Sequence, residues 1–192
     1  MIPDLIRALD RVVVELDRLR IPYVIGGSLA SSAHGEPRPS GDVDLVVDLS
    51  EERANGMISA VAGEFYVPET AVREAVSRRT SFNLIHQPTV VKLDFFVMGE
   101  DLLRRLQIER GRPASLDPGV ARSFQLSTAE DIVLQKLDWF RRGGLGSDRQ
   151  WRDVLGVLKL QSNRLDLSYL TATAALTGLS ELLARARSDA GV

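Results

Sequence analysis

The stretch Val24 to Asp48 reads V-I-G-G-S-L-A-S-S-A-H-G-E-P-R-P-S-G-D-V-D-L-V-V-D. It divides into a short apolar strand, a Gly-Gly-Ser turn, a small helix, a proline-rich loop and a second strand opening on Asp42 and Asp44. Side chains alternate faces along a strand, so Asp42 and Asp44 point the same way. Neighbouring carboxylates disfavour each other's ionisation unless a cation lies between them. A hard divalent ion bound through one or two carboxylates and substrate phosphates answers that need, which makes Mg2+, or Mn2+ in its place, the expected metal.

The first half of the stretch supplies the anion side. Gly26 and Gly27 permit backbone conformations and close approach that a Cβ would block. Ser28 reads as the cap of a helix beginning near Leu29, whose free N–H groups and positive dipole end favour an anion. A phosphate cradle beside two metal-ready carboxylates is the arrangement a nucleoside triphosphate with a divalent ion requires. The loop Gly35 to Gly41 is stiffened by Pro37 and Pro39, which presents Arg38 near the phosphates. His34, at the helix end, reads as a cap or packing residue.

G-G-S, a short helix and D-x-D on a strand together resemble the signature of the nucleotidyltransferase superfamily related to DNA polymerase beta. The resemblance implies a third aspartate on a neighbouring strand, and Asp94 in V-V-K-L-D-F-F-V is the candidate. It further implies that Gly26, Gly27, Ser28, Arg38 and Ser40 bind the nucleotide, ATP being one candidate, and that Asp42 and Asp44 bind metal. Asp94 would complete the metal site and help activate the attacking hydroxyl. An acid inside that apolar run needs a partner if buried.

Outward from this stretch, composition sets bounds. The 192 residues suffice for one good core or a core with a small appendage. A net charge of −2 provides no global field toward nucleic acid or anionic membrane. Absence of cysteine excludes disulfides, thiolate nucleophiles and cysteine-based zinc sites, and two histidines are too few for a histidine-rich metal site. No run reaches the roughly 18 apolar residues of a membrane helix, and the N-terminus does not resemble a signal peptide, so a cytoplasmic protein is expected.

Pro3 to about Arg18 has helical apolar spacing, and Ile21 to Ile25 reads as the first strand. Asp48 shares the parity of Asp42 and Asp44 but ends its strand and is read as structural. Ser50 opens a helix through Val61, followed by a brief strand at Phe65 to Val67 and a short helix at Thr70 to Val76. Ser81 to His86 and Thr89 to Met98 read as a hairpin whose second strand carries Asp94. Glu100 to Leu106 is read as helical. The arginines 104, 105, 110, 112 and 122 make the next stretch locally basic, a candidate contact for nucleic acid or a phosphate-rich substrate.

Ser127 and Glu130 have the spacing of a capping box, and Lys136 falls in the middle of the apolar arc of the helix that follows. Its amine either snorkels to a rim or aims at phosphate or carboxylates, the second being favoured. Ser147 with Gln150 caps another helix, Leu165 to Leu183 adds one or two more, and Arg185 to Val192 reads as a fraying polar tail. T-A-E-D-I-V-L-Q-K at 128–136 and S-D-R-Q-W-R-D-V at 147–154 are similar to the later motifs of bacterial abortive-infection, type IV toxin–antitoxin nucleotidyltransferases. In that family a Thr-x-x-Glu-x-x-x-x-Lys element shapes the active site; here Asp131 replaces the glutamate. The resemblance makes Lys136 a phosphate or catalytic lysine, with Arg152 and Asp153 as weaker candidates.

The expected fold is α/β: a nucleotidyltransferase-type mixed sheet flanked by helices, residues 1–125, with a C-terminal helical bundle, residues 126–192, packed on it. The implied reaction is Mg2+-dependent transfer of a nucleoside monophosphate from a triphosphate to an acceptor hydroxyl. Catalysis would rest on Asp42, Asp44, Asp94 and Lys136. RNA, including tRNA, or protein is the favoured acceptor, and a cognate toxin or antitoxin an implied partner. The alternatives are an aminoglycoside-like small-molecule acceptor and a weakly active or inactive binding member of a toxin–antitoxin pair.

Overall fold

A computed structural model describes residues 2–192. Helix α1 (Ile2–Arg18) buries Leu5, Ile6, Leu9, Val12, Val13 and Leu16 along one stripe, the spacing a 3.6-residue helix brings to one side. Strand β1 (Tyr23–Ile25), helix α2 (Gly27–His34) and strand β2 (Asp42–Val47) follow. Helix α3 (Glu51–Val61) starts where Ser50 accepts the Arg53 N–H, with Glu51 and Glu52 in the first turn where the helix dipole favours them. Then come β3 (Phe65–Tyr66), α4 (Glu69–Arg78), β4 (Ser81–His86) and β5 (Val91–Val97). Helix α5 (Leu102–Arg110), strands β6 (Arg112–Ala114) and β7 (Phe124–Leu126), and helices α6 (Ala129–Arg142), α7 (Asp148–Gln161), α8 (Leu167–Thr177) and α9 (Ser180–Ala190) complete the chain.

The strands form one mixed sheet in the order β3-β4-β5-β2-β1-β7-β6. β2 runs parallel to β5 and β1 parallel to β7, while the remaining pairs are antiparallel. The α/β class and the hairpin carrying Asp94 are as the sequence predicts. Alternation sorts the two central strands. Val43, Leu45 and Val47 on β2, with Val91, Leu93, Phe95 and Val97 on β5, turn to the face crossed by α1 and are buried. Phe95 stacks on Phe82 with ring centroids 4.8 Å apart. Each such side chain contributes about 1.5–3 kcal/mol by leaving water. Asp42, Asp44 and Val46 therefore share the opposite face with Lys92, Asp94 and Phe96. That face, under α2, α5 and α6, carries the site.

Four local expectations are corrected. Helix α2 begins at Gly27 with Gly26 in the N-cap position, so Ser28 lies inside the helix and is not its cap. Helix α5 continues past Leu106 to Arg110, because Gln107 packs inward at 1% exposure. Thr128, not Ser127, caps α6: the Thr128 side chain accepts the Asp131 N–H, whereas the Ser127 backbone is already committed to Ile25 at the end of β7. The tail from Arg185 does not fray at once but belongs to α9 as far as Ala190. Leu183 and Ala186 are buried there, and the Arg185 guanidinium lies 4.6 Å from the centroid of the Trp151 ring.

Candidate active site

Parallel pairing sets Asp44 directly beside Asp94 and Asp42 directly beside Lys92. The Lys92 ammonium lies 2.7 Å from Asp94 Oδ2 and 4.0 Å from Asp42 Oδ2. Lys92 is not among the residues expected from the sequence, although its strand parity with Asp94 in V-V-K-L-D is a signal for it. Ser40 ties the loop to this row by donating its hydroxyl to Asp42 Oδ1 at 3.0 Å.

The turn before α2 is built around Asp44. Gly27 has φ +56°, and a Cβ there would fall 1.7 Å from Asp44 Oδ2. Glycine is thus required twice, for its backbone angle and for the space the carboxylate occupies. The Ser28 N–H at the helix start donates to that carboxylate. Burial, followed by the nearby charges of Asp42 and Asp94, nevertheless pushes the Asp44 carboxyl up to about 6. This carboxylate is short of positive charge.

A second cluster flanks the turn. Asp153 on α7 receives Arg38 Nε and Nη2, each at 2.8 Å, in a two-pronged pair, and Lys136 Nζ at 2.7 Å. Lys136 also donates to Gln150 Oε1 at 3.1 Å, and Arg38 Nη2 reaches on to the Ser28 hydroxyl. Burial would raise the Asp153 carboxyl, but hydrogen bonds from Arg38 and Lys136 hold it below its ordinary range. The Lys136 ammonium, by contrast, is lowered by burial despite its bond to Asp153. The exchange is uneven because Asp153 has two cationic partners and Lys136 has one close carboxylate. Asp153, weakly signalled in the sequence, is the link between the Arg38 loop, α6 and α7.

Gly26, Gly27, Ser28, Asp44, Lys136 and Gln150 form the polar end of a cavity of about 240 Å³. Its other end is lined by Val46, Phe96, Ile132 and Trp139 with Arg104, Gln107 and Gln135. Two hydrophobic strand positions one step beyond Asp44 and Asp94 thus become its floor.

Among the described residues, no three histidine, aspartate or glutamate side chains already converge as a metal cage. The donor set still fits a hard divalent ion. Asp42, Asp44 and Asp94 offer oxygen donors from neighbouring positions on two paired strands, and a cation among them would offset the mutual repulsion of their charges. Lys92 supplies part of that charge, so an ion at this place competes with its ammonium.

Other sequence candidates lie elsewhere. His34 Nε2 bonds the Ser127 carbonyl at 2.7 Å, joining α2 to the start of α6, a packing role. Asp131 accepts from Thr128 and Tyr169 and pairs with Arg110, bracing the α6 start. Arg152 is exposed and donates to the Asp148 carbonyl. Of the five arginines of the basic stretch, Arg105 and Arg112 are exposed and the other three are engaged within the fold. Arg122 bonds Asp10 and Asp17, Arg110 lies over the Tyr169 ring, and Arg104 packs on Phe96 while donating to the Val97 carbonyl.

No family model and no curated protein matches the sequence. Solved structures do match the fold. The solution structure of the antibiotic-resistance factor ANT(2″)-Ia aligns with 98% of this chain and 100% of its own, at TM-score 0.61 and 13% identity. The crystal structure of an antigenic nucleotidyltransferase-like protein from Paracoccidioides brasiliensis aligns with 93% of this chain and 90% of its own, at TM-score 0.53 and 19% identity. The mixed sheet flanked by helices is therefore the architecture of nucleotidyltransferase-like proteins.

Proposed function

We propose that the chain is a Mg2+-dependent nucleotidyltransferase that moves a nucleoside monophosphate from a triphosphate to an acceptor hydroxyl. The observation that carries this reading is the pairing of Asp44 with Asp94 in register, against a helix start from which Gly27 has removed the Cβ. The fold shared with a nucleotidyltransferase-like protein supports it. A divalent ion bound by Asp42, Asp44 and Asp94 would offset charge on the reacting phosphate oxygens. In the chemical step the acceptor oxygen forms a bond to the α-phosphorus, and the bond from that phosphorus to pyrophosphate breaks. Asp94, whose side chain is partly exposed beside Asp44, receives the hydroxyl proton. The α2 N–H groups, Lys136 and Arg38 hold the leaving pyrophosphate, with Asp153 positioning both cations.

RNA, tRNA included, or protein is the acceptor class supported by the toxin-like motifs at 128–136 and 147–154, and a toxin–antitoxin pairing rests on the same likeness. A small-molecule acceptor is the second reading, favoured by the full-length alignment with an antibiotic-resistance factor. The test is pyrophosphate release from each of four nucleoside triphosphates, with Mg2+ or EDTA, in the presence of a tRNA pool, a protein lysate or an aminoglycoside. Release that needs Mg2+ and one acceptor class, and is lost in Asp44→Asn, is expected. Failure to release pyrophosphate with every acceptor would leave a binding protein.

A further inference from the structure

The floor and far wall of the cavity do nothing for phosphate. Along β2 and β5 the face runs from the Asp44–Asp94 row to the Val46–Phe96 row, two residues further, a step of about 6.6 Å at the rise of a strand. A group in contact with the carboxylates therefore places whatever it carries over an apolar, partly aromatic surface. Trp139, on α6, stands at the edge with its ring centroid 5.9 Å from that of Phe96, the two nearly edge to face. The Arg104 guanidinium lies over the Phe96 ring, 5.4 Å from its centroid.

Two amide side chains, those of Gln107 and Gln135, also line the cavity. Gln107 is 1% exposed; its Nε2 donates to Ser127 Oγ at 3.2 Å, which turns its carbonyl oxygen away from Ser127. It sits close to the glycine turn, since a Cβ on Gly26 would be 3.5 Å from Gln107 Nε2. Gln135 neighbours Lys136 on α6. The Oε1 atoms of both glutamines are buried and accept no hydrogen bond from the described residues. A buried acceptor without a donor costs the fold free energy, and both of these belong to residues that line the same cavity.

We propose that Gln107 and Gln135 read the amino-bearing edge of a nucleobase lying on Phe96 and Trp139, making this end of the cavity the base-specificity pocket for the nucleotide. The inference rests on the nucleotidyltransferase reading and names the feature of the donor that this site selects. Flat aromatic and guanidinium surfaces accept a base by stacking. Two unmatched carbonyl oxygens select N–H donors, favouring bases with an exocyclic amine over uracil, which offers one ring N–H. An amine-rich sugar would also supply donors, but its positive charges would meet Arg104 at this end and Lys136 at the other.

The test is calorimetric binding of ATP, CTP, GTP, UTP and inorganic tripolyphosphate, each with Mg2+, to the wild-type chain and to Gln135→Leu. Gln107→Leu is the second variant, because Gln135 is the less buried and its replacement the easier to fold. Tripolyphosphate binding probes the phosphate end by itself. The expected result is that tripolyphosphate binds all three proteins alike. At least one amine-bearing nucleotide should bind wild type about tenfold or more tighter than UTP, a preference falling to within about twofold in either variant. Equal binding of all four nucleotides by wild type, with tripolyphosphate still bound, overturns the base pocket and leaves the proposed reaction standing. Failure of tripolyphosphate and every nucleotide to bind overturns both. Nucleotide ratios in Gln135→Leu and Gln107→Leu that match a selective wild type would place base selection elsewhere and overturn the inference.

Discussion

At the scale of single residues, the site is defined by groups placed where they cost the fold free energy. Asp44 is the plainest case. Its folded carboxyl titrates at about 6, above the value of an unfolded aspartate, so the folded protein holds that proton more tightly. The ionisation penalty is absent below about pH 4, grows between about pH 4 and 6 and is complete above that window, where it reaches on the order of 3 kcal/mol. In EDTA, Asp44→Asn should therefore melt higher than wild type at pH 7.5, by up to roughly 10 °C, with the advantage shrinking toward pH 4. An equal or lower melting temperature at pH 7.5 would mean that Asp44 is structural. Gly27→Ala runs the other way. The added methyl meets Asp44 Oδ2 and the φ of +56° is unfavourable for alanine, so a loss of about 2 kcal/mol or more in urea unfolding and loss of pyrophosphate release are expected. Parity along a strand made Asp42, Asp44 and Asp94 legible from sequence. Lys92 has the same parity but is not distinctive in the sequence, because a strand lysine ordinarily faces solvent. Gln107 was hidden by its setting among arginines, in a helix whose end the sequence did not show.

At the scale of elements, Asp153 holds three pieces in register: the Arg38 loop, α6 through Lys136 and its own helix α7. Lys136 and Asp153 are 4% and 6% exposed, so removal of one partner strands the other in a dry setting. Asp153→Ala should lose about 3–5 kcal/mol, while the double change Asp153→Leu with Lys136→Met should recover most of that stability. Activity should stay absent in the double variant, because it lacks Lys136, which the proposed reaction uses to hold pyrophosphate. A double variant as unstable as the single one would show that the pair is not the source of the loss. Helices with side-chain caps, α3 from Ser50 and α7 from Ser147, were legible from sequence because the capping serine is followed at once by an amphipathic run. At α6 two adjacent hydroxyl residues offered rival caps. Only the pairing of β7 with β1 decides between them, since it occupies the Ser127 N–H and leaves Thr128 to turn the chain. β6 and β7 are three residues each, too short for alternation to register.

At the scale of the molecule, the order of strands in the sheet was beyond the sequence. Nothing local in Phe124–Leu126 says that it lies beside Tyr23–Ile25, about a hundred residues earlier. That pairing matters for how the chain responds to ligand. The cavity takes Gly26, Gly27, Ser28, Asp44 and Phe96 from the first 125 residues, and Lys136, Trp139 and Gln150 from the helices that follow. Arg38 and Asp153 form an ion pair between the same two parts. Neither part can present the site alone, and a ligand bound between them stabilises both at once. Calorimetric unfolding of the metal-free protein should accordingly show one transition. Mg2+ with the preferred nucleotide at a hundredfold excess over its dissociation constant should move that whole transition upward by about 2.7 kcal/mol, or roughly 5–10 °C for a chain of this size. A second, lower transition that ignores the ligand would show that the helices after residue 125 fold as a separate unit. The Lys136–Asp153 pair would then be a contact between two bodies, and the site would form by their docking.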